Sequence, residues 1–270
     1  MPLSVRLALA VVFCGALAAT SSAGEEPPAE DAPAATYDGS QKNLHVYLLI
    51  GQSNMAGRAP VPEEDAGVIP QCYLLNGEDE WEPARNPLNR YSTVQNPRKE
   101  QRMNPGYAFA RRMLKENESA SLGLVANARG GSSIEQWNRG TRYYQEALRR
   151  TREAAKSGTL KGILWHQGED NSGEPEGYTE KLNALVTNLR EDLKAPNLPF
   201  VAGQIYGPEP INEQIAALPE TTPATGYASS EGLKVMDRWH FDAASMKRLG
   251  TRYAEAMLKV QAAAASSDDR

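Results

Sequence analysis

One serine of this chain lies at a junction that suits a nucleophile. The apolar run 45–50, His-Val-Tyr-Leu-Leu-Ile, is followed by Gly51 and is typical of a buried strand. Residues 54–56 can open a helix, so the sequence predicts Ser53 at a strand-to-helix turn. Backbone N–H groups at such a turn point towards a bound group, and their partial positive charge favours an oxyanion. The position suits a catalytic serine, although a buried structural serine fits the same turn.

A serine nucleophile needs a general base, and the chain has three histidines, His45, His166 and His240. His45 begins the strand that ends before Ser53 and therefore points away from it. His240 follows Asp237 by three residues, a spacing at which two side chains can face each other in a turn. The aspartate can then accept from one imidazole nitrogen while the other nitrogen takes the serine proton. A helix-capping loop with incidental acidic residues is the alternative interpretation.

Two further segments offer donors for a negatively charged oxygen. Gly130 and Gly131 follow the apolar run 121–126, and paired glycines let a backbone N–H approach a substrate closely. Gln167 follows the apolar run 160–165 and carries a side-chain amide donor. Both segments therefore predict oxyanion donors at the carboxyl ends of strands.

A metal site is the competing interpretation of the segment around Gln167. His166, Glu169 and Asp170 are three ligand types within five residues, a spacing that would also suit a metal ion. Alternatively, Glu169 orients neighbouring side chains without binding a metal.

Four motifs in this order resemble the sialate O-acetylesterase-like branch of the SGNH hydrolases, which includes the acetylxylan esterases of carbohydrate esterase family six. The motifs are Gly-Gln-Ser-Asn-Met-Ala-Gly at 51–57, Gly-Gly-Ser with Ile-Glu-x-Trp at 130–137, His-Gln-Gly-Glu at 166–169, and Asp-x-x-His at 237–240. The resemblance runs from about His45 to Met257. It implies a flavodoxin-like α/β/α sandwich and a serine esterase that needs no metal or cofactor and removes acetyl groups from carbohydrate hydroxyls.

Carried over motif by motif, the resemblance implies that Ser53 is the nucleophile, His240 the base and Asp237 the acid that orients it. One departure is Asp170, which stands where the family often has a small residue. It leaves the three proposed catalytic residues untouched.

The resemblance also implies an oxyanion hole made of the Ser53 amide, one glycine amide and the Gln167 side chain. Gly131 is preferred over Gly130, because the glycine just before a small polar residue usually fills that place in SGNH enzymes. Three neighbours are expected to support these groups from behind, namely Gln52, Asn54 and Glu169.

Three other functional classes compete with this interpretation. An α/β-hydrolase is disfavoured because Met55 occupies the last glycine position of Gly-x-Ser-x-Gly. A noncatalytic glycan-binding protein on the same scaffold is the first alternative, and an SGNH lipase or phospholipase is the second. The polar segment 76–104 lacks the apolar stripe that long-chain esters require. That segment holds either a small hairpin or one wall of a substrate cleft.

Apolar runs and helical periodicity alternate along the chain, which predicts a mostly parallel sheet covered on both faces, an α/β fold. The predicted strands are 45–50, 71–75, 121–126, 160–165 and 199–206. The predicted helices are 105–117, 140–156, 177–193 and 243–260. Sites in such sheets form at the carboxyl ends of strands, where the candidate motifs lie.

The ends of the chain differ in composition from its middle. Residues 1–23 resemble a cleaved secretory signal, which predicts an exported, periplasmic or extracellular protein rather than a lipoprotein anchored through Cys14. Residues 24–40 are acidic and rich in Pro and Ala, as in a disordered linker. The esterase domain is expected over 41–262, followed by a disordered tail over 263–270.

The net charge of −5, with scattered Lys and Arg, disfavours a nucleic-acid partner. No stable membrane insertion is expected after signal cleavage. The expected partner is an O-acetylated carbohydrate, but the sequence leaves the sugar and the oligomeric state open. The aromatic candidates for stacking on a sugar are Trp81, Tyr91, Trp137 and Trp239.

Overall fold

The computed structural model describes Met1 and residues 43–96, 102–207 and 209–268. Apart from Met1, the predicted signal peptide and the linker lie outside the described residues. The strands are β1 (Leu44–Gly51), β2 (Cys72–Leu75), β3 (Trp81–Pro83), β4 (Ser121–Ala126), β5 (Thr159–His166), β6 (Phe200–Gly203) and β7 (Thr225–Ala228). The α-helices are α1 (Ser53–Ala56), α2 (Gly106–Glu116), α3 (Arg142–Ala154), α4 (Tyr178–Asp192), α5 (Pro210–Ala216), α6 (Leu218–Thr221) and α7 (Ala243–Asp268).

The strands form a 7-stranded sheet in the order β3-β2-β4-β1-β5-β6-β7. Neighbouring strands are parallel, except for the antiparallel pair β2 and β3 at one edge. Without that edge hairpin the order is the 2-1-3-4-5 of flavodoxin-like folds. The predicted three-layer α/β/α sandwich is therefore confirmed. The order reverses between β1 and β5, and in such sheets ligands bind outside the carboxyl ends of the strands at that switch point.

Successive side chains of β1 alternate between two apolar cores because strand side chains point to opposite faces. Tyr47 and Leu49 pack with α2 and α7 on one face of the sheet. Leu48 and Ile50 pack with α3 and α4 on the other. This double burial explains why the strand is a continuous apolar run rather than an alternating one.

The five predicted strands and four predicted helices are all present, with ends that differ mostly by one or two residues. The strand predicted over 199–206 stops at Gly203, because the backbone N–H and C=O of Ile205 bond to the side chain of Asn212 instead. Two short strands, β3 and β7, were missed, since three- and four-residue segments carry too little periodicity. In the described part of the chain, no helix is long and apolar enough to cross a membrane.

The structure bears on two further predictions, the disordered tail over 263–270 and the role of the polar segment 76–104. Helix α7 continues to Asp268, so the disorder predicted for 263–270 is wrong for its first six residues. The four alanines of 262–265 explain this, because alanine has the highest helix propensity. The segment 76–104 contains β3, which pairs with β2, so the hairpin interpretation is confirmed.

Strands β1 and β5 approach closely where Gly51 lies against the backbone of His166. The φ of Gly51 is 132°, and a Cβ on it would lie 2.1 Å from the carbonyl oxygen of His166. We expect Gly51→Ala to lower the free energy of unfolding by about 2 kcal/mol or more, because it adds both backbone strain and overpacking. The matched control is Gly67→Ala, where nothing lies within 4 Å of the added Cβ, and its effect should stay within about 0.5 kcal/mol. Denaturant unfolding compares the two, and equal stability would contradict the close approach.

Candidate active site

Three side chains from distant parts of the sequence, Ser53, His240 and Asp237, are joined by hydrogen bonds. Ser53 Oγ lies 3.0 Å from His240 Nε2, and His240 Nδ1 lies 2.7 Å from Asp237 Oδ2. The other carboxylate oxygen of Asp237 accepts the backbone N–H groups of Trp239 and His240, each at 2.9 Å. The structure therefore brings together the serine, histidine and aspartate that the sequence singled out. The carboxylate holds the imidazole so that Nε2 faces the serine oxygen.

The loop that carries His240 is folded back on itself before α7 begins. Val235 and Phe241 form an isolated antiparallel bridge, and the N–H of Met236 donates to the carbonyl of His240 at 2.8 Å. These bonds close a tight turn around Asp237. The three-residue spacing of the aspartate and histidine therefore becomes a face-to-face contact.

The surroundings of Asp237 lower the pKa of its carboxyl group, which keeps the group charged beside His240. Partial burial raises its pKa, but hydrogen bonds from the His240 imidazole and from the N–H groups of Trp239 and His240 outweigh that effect. The pKa of Asp237 falls from 3.8 to about 2. Its carboxylate is ionised across the neutral pH range.

Asn54 ties the loop of His240 to the turn of Ser53. Its Nδ2 donates to the carbonyl oxygen of Trp239 at 3.0 Å, and its Oδ1 accepts the N–H of Phe241 at 3.2 Å. The same Nδ2 donates to Glu169 Oε1 at 2.7 Å. The buried side chain of Asn54 is thus hydrogen-bonded to the backbone on both sides of His240, and its bond to Glu169 fixes the orientation of the amide.

Glu169 and His166 lie behind the site and are buried. Tyr253 donates its proton to the Trp165 carbonyl at 2.6 Å, so His166 Nδ1, at 3.0 Å, must donate to the tyrosine oxygen. His166 Nε2 lies 3.6 Å from Glu169 Oε1. Burial raises the pKa of Glu169, but contacts with His166 and Asn54 lower it overall.

The metal interpretation of His166, Glu169 and Asp170 finds no support in this geometry. Among the residues that the structure describes, no three His, Cys, Asp or Glu side chains are grouped as metal ligands. His166 contacts Tyr253 with one nitrogen and faces Glu169 with the other.

The glycine loop after β4 lies beside the end of β1. The N–H of Arg129 donates to the carbonyl oxygen of Gly51 at 2.9 Å, which brings the two following glycines next to the turn of Ser53. Gly131 is exposed and has a φ of 67°, with nothing within 4 Å of the place where a Cβ would be. The backbone N–H groups of Ser53, Gly130 and Gly131 donate to no acceptor in the described ranges. They are available to an incoming oxygen.

The direct oxyanion role predicted for Gln167 does not fit its contacts. Gln167 is fully buried, and its Nε2 donates to Gln52 Oε1 at 3.1 Å and to Asn171 Oδ1 at 2.6 Å. Its Oε1 accepts the hydroxyl of Tyr178 at 2.9 Å. Because both amide hydrogens are already taken, Gln167 is not a free donor. The prediction fails because residue type shows that an amide can donate, but not which acceptor it finds.

A chain of polar side chains behind Gln167 was not predicted from the sequence. Asn171 accepts from Gln167 and from the N–H of Ile134, and its Nδ2 donates to the Glu135 carboxylate at 3.1 Å. Glu135 in turn accepts from Lys181 at 2.7 Å. The available signal was the four-residue spacing of Gln167 and Asn171, which puts them within reach across one turn.

The aromatic candidates have different surroundings. Trp239 is half-buried directly before His240, and the guanidinium of Arg238 stacks over its ring at 4.6 Å. Trp137 is fully buried in the core. Trp81 donates to Ser157 and packs over Gly123. Of these three tryptophans, only Trp239 adjoins the candidate site.

Tyr91, the fourth aromatic candidate, is held within the polar segment after β3. Its hydroxyl donates to Glu82 at 2.9 Å, and the guanidinium of Arg90 lies 5.0 Å from the ring centre. These contacts account for Tyr91 without a substrate.

The fold and the arrangement of these side chains are those of an SGNH hydrolase. The sequence model of one family, described as carbohydrate esterase, sialic acid-specific acetylesterase, matches residues 43–259. The chain belongs to this family. The match confirms the resemblance that the four motifs predicted, and with it the class of enzyme, a carbohydrate esterase.

Relatives with known structures share the architecture. The probable carbohydrate esterase At4g34215 of Arabidopsis thaliana is 35% identical over 176 residues, which cover 58% of this chain and 66% of the relative. Its X-ray structure aligns with a TM-score of 0.71 at 28% identity, over 81% of this chain and 98% of that one. NanS aligns with a TM-score of 0.63 at 18% identity, over 82% and 98% of the two chains. XAC1771, a carbohydrate acetylesterase from Xanthomonas citri, gives 0.61 at 22% identity, over 81% and 57%.

We expect Asp237→Asn to lower kcat for ester hydrolysis by roughly 10³–10⁴, because an amide does not hold the imidazole of His240 in the tautomer that leaves Nε2 free to accept. Since the pKa of Asp237 is about 2, its carboxylate should stay ionised, and wild-type activity should not depend on its protonation above about pH 4. As the pH falls towards the pKa of Asp237, protonation of the carboxylate should lower the rate.

A pH profile of kcat/KM with p-nitrophenyl acetate tests this expectation. The control is Asp242→Asn, since that carboxylate caps the N–H of Ser245 at the start of α7 and does not contact the imidazole. An acid-side ionisation above pH 4 that is present in the wild type and vanishes in Asp237→Asn would contradict this expectation, because it would show that Asp237 titrates in the working range.

Proposed function

We propose that the protein is a serine esterase that removes O-acetyl groups from carbohydrates. The observation that carries the proposal is the line of hydrogen bonds from Ser53 Oγ through His240 to Asp237, at 3.0 and 2.7 Å. Membership of a carbohydrate esterase family supports the acetylated sugar as substrate. The candidate substrates are acetylated xylan, other acetylated plant or algal polysaccharides and O-acetylated sialic acid, and acetate release from each of them distinguishes these candidates.

The reaction follows from the order of these groups. His240 Nε2 takes the Ser53 proton as the serine oxygen attacks the acetyl carbonyl carbon, and Asp237 stabilises the imidazolium that forms. The imidazolium then gives its proton to the departing sugar oxygen, which leaves an acetyl group on Ser53. Water, activated by the same imidazole, releases acetate and restores the serine.

Negative charge develops on the carbonyl oxygen during both steps. The unpaired N–H of Ser53 and one of the two glycine N–H groups, Gly131 rather than Gly130, are the proposed backbone donors to that oxygen. Gly131 is preferred because it directly precedes a small polar residue, Ser132, and because it is exposed whereas Gly130 is half-buried. Ser53 also begins α1, where the first N–H groups have no partner within the helix.

We expect Ser53→Ala to lower kcat by about 10⁴–10⁶ and to leave the melting temperature close to that of the wild type, because the variant lacks the attacking oxygen but keeps the packing. Hydrolysis of p-nitrophenyl acetate and labelling by a fluorophosphonate measure the loss. A folded Ser53→Ala protein with near-normal turnover would rule out the mechanism. A wild-type protein that binds acetylated glycans without releasing acetate would instead favour the noncatalytic alternative.

We also propose that the chain is exported. The support is the apolar run 7–19, too short to span a bilayer, followed by small residues at Ser21 and Ala23. N-terminal sequencing of protein recovered from the periplasm or the medium should begin at Gly24. A mature chain that begins at a lipid-modified Cys14 would show anchoring instead.

A further inference from the structure

An open cavity of about 570 Å³ lies outside the Ser53 site, at the carboxyl ends of β6 and β7. Its walls are the loop 204–207 after β6, helix α5, and the loop 230–233 after β7. Proteins bind small organic ligands in cavities of about 300–1,000 Å³. The cavity is therefore large enough to hold a sugar unit.

The cavity and the Ser53 site share one edge of the sheet. Three strand spacings, about 14 Å in all, separate β1 from β7. The loop 230–233 runs directly into the turn that carries His240. On the other side, a Cβ on Gly168 would lie 2.9 Å from the side chain of Ile205, so the loop after β5 touches the loop after β6. Both loops of the cavity thus adjoin segments that build the candidate active site.

Tyr206 lines the cavity, and its backbone is held from both sides. The side chain of Asn212 in α5 accepts the N–H of Ile205 at 2.8 Å and donates to the carbonyl oxygens of Ile205 and Gly207 at 2.9 and 2.7 Å. Asn212 is 7% exposed, whereas Tyr206 is 36% exposed. A buried amide therefore fixes the backbone of an exposed ring. Such a ring offers a rigid, amphipathic contact surface at a low cost in conformational entropy.

The polar lining of the cavity carries negative charge. Three of the described lining residues are glutamates, Glu209, Glu213 and Glu231, and none of them is Lys, Arg or His. Within the described ranges these three carboxylates have no ion-pair partner and are not grouped as metal ligands. Carboxylates accept hydrogen bonds from hydroxyl groups and repel other anions. The cavity therefore suits an uncharged sugar better than a carboxylated one.

We propose that this cavity binds an uncharged sugar unit of an acetylated polysaccharide while another unit of the same polymer presents its acetyl group to Ser53. The ring of Tyr206 packs on the sugar, and the glutamates accept from its hydroxyl groups. This inference rests on the proposed esterase function and narrows its substrate class to acetylated polymers of neutral sugars, such as xylan. A small ester reaches Ser53 without filling the cavity, so the cavity adds affinity for the polymer alone.

The first test compares acetylated xylan with p-nitrophenyl acetate, which has no sugar to place in the cavity. Tyr206→Ala should raise KM for acetylated xylan by about three- to tenfold and leave kcat within about twofold, because the lost contact binds ground state and transition state alike. Both constants for p-nitrophenyl acetate should stay at the wild-type values. Tyr206→Phe keeps the ring and should keep KM for the polymer within about twofold.

The matched control is Tyr227→Ala. Tyr227 is 40% exposed, but it lies in β7 and does not line this cavity. Its removal should change KM for neither substrate. Melting temperatures of the tyrosine variants show whether each of them is folded.

The double variant Glu213→Gln/Glu231→Gln tests the charge and does not depend on how Tyr206→Ala folds. It keeps an acceptor at each position and removes two negative charges. The wild type should have a lower KM for acetylated xylan than for an equally acetylated xylan that carries glucuronic acid groups. The double variant should narrow this ratio by about two- to threefold at low salt and by less at high salt, because salt screens exposed charges.

Calorimetry separates binding from turnover. Ser53→Ala protein should bind a xylo-oligosaccharide that has no acetyl groups, and adding Tyr206→Ala should weaken this binding by about three- to tenfold. Unchanged binding, or an unchanged KM for acetylated xylan in folded Tyr206→Ala, would overturn the proposal. An equal change with p-nitrophenyl acetate would also overturn it, because Tyr206 would then act on the Ser53 site itself.

The substrate range distinguishes this proposal from the proposed function. A wild type that releases acetate from free O-acetylated sialic acid but not from acetylated xylan or acetylated glucomannan overturns the cavity proposal alone. A wild type that releases acetate from no ester overturns the esterase function, and with it the substrate class proposed for the cavity.

Discussion

The close contact between the ends of β1 and β5 is the constraint on which the site depends. Gly51 has no side chain, so the His166 carbonyl can approach its backbone and accept the N–H of Gln52 at 2.7 Å. The carbonyl of Gly51 accepts from Arg129 at the end of β4. Three adjacent parallel strands therefore end within one hydrogen-bonded junction, and the segments that follow them meet. A side chain at Gly51 would push the turn of Ser53 away from the backbone of His166.

The proposed base, His240, comes from a distant part of the chain and needs its own attachment to the site. It lies in the loop before α7, almost 190 residues after the proposed nucleophile in sequence. Asn54 joins the two by bonding to the carbonyl of Trp239 and the N–H of Phe241. Because Asn54 is adjacent to Ser53, any displacement of His240 relative to Ser53 would break these hydrogen bonds. The distance between serine and imidazole is thus set by a residue that takes no part in proton transfer.

Sequence patterns predicted the features that depend on the arrangement of residues along the chain. Continuous apolar runs and helical spacing identified the strands and helices that cover both faces of the sheet, and motif order brought Ser53, Asp237 and His240 together before any contact was known. The patterns failed for β3 and β7, which are short, and for the end of α7, where alanine propensity outweighed polar composition. They failed also for Gln167, since nothing in the sequence shows that Gln52, 115 residues earlier, lies within reach of its amide.

The contacts of Gln167 have an energetic consequence for catalysis. To donate to an oxyanion, its amide would have to abandon Gln52 or Asn171 and leave a buried acceptor unsatisfied, at a cost of about 1–3 kcal/mol. One oxyanion donor contributes about 2.7–4 kcal/mol to the transition state, so such a rearrangement would cancel much of the gain.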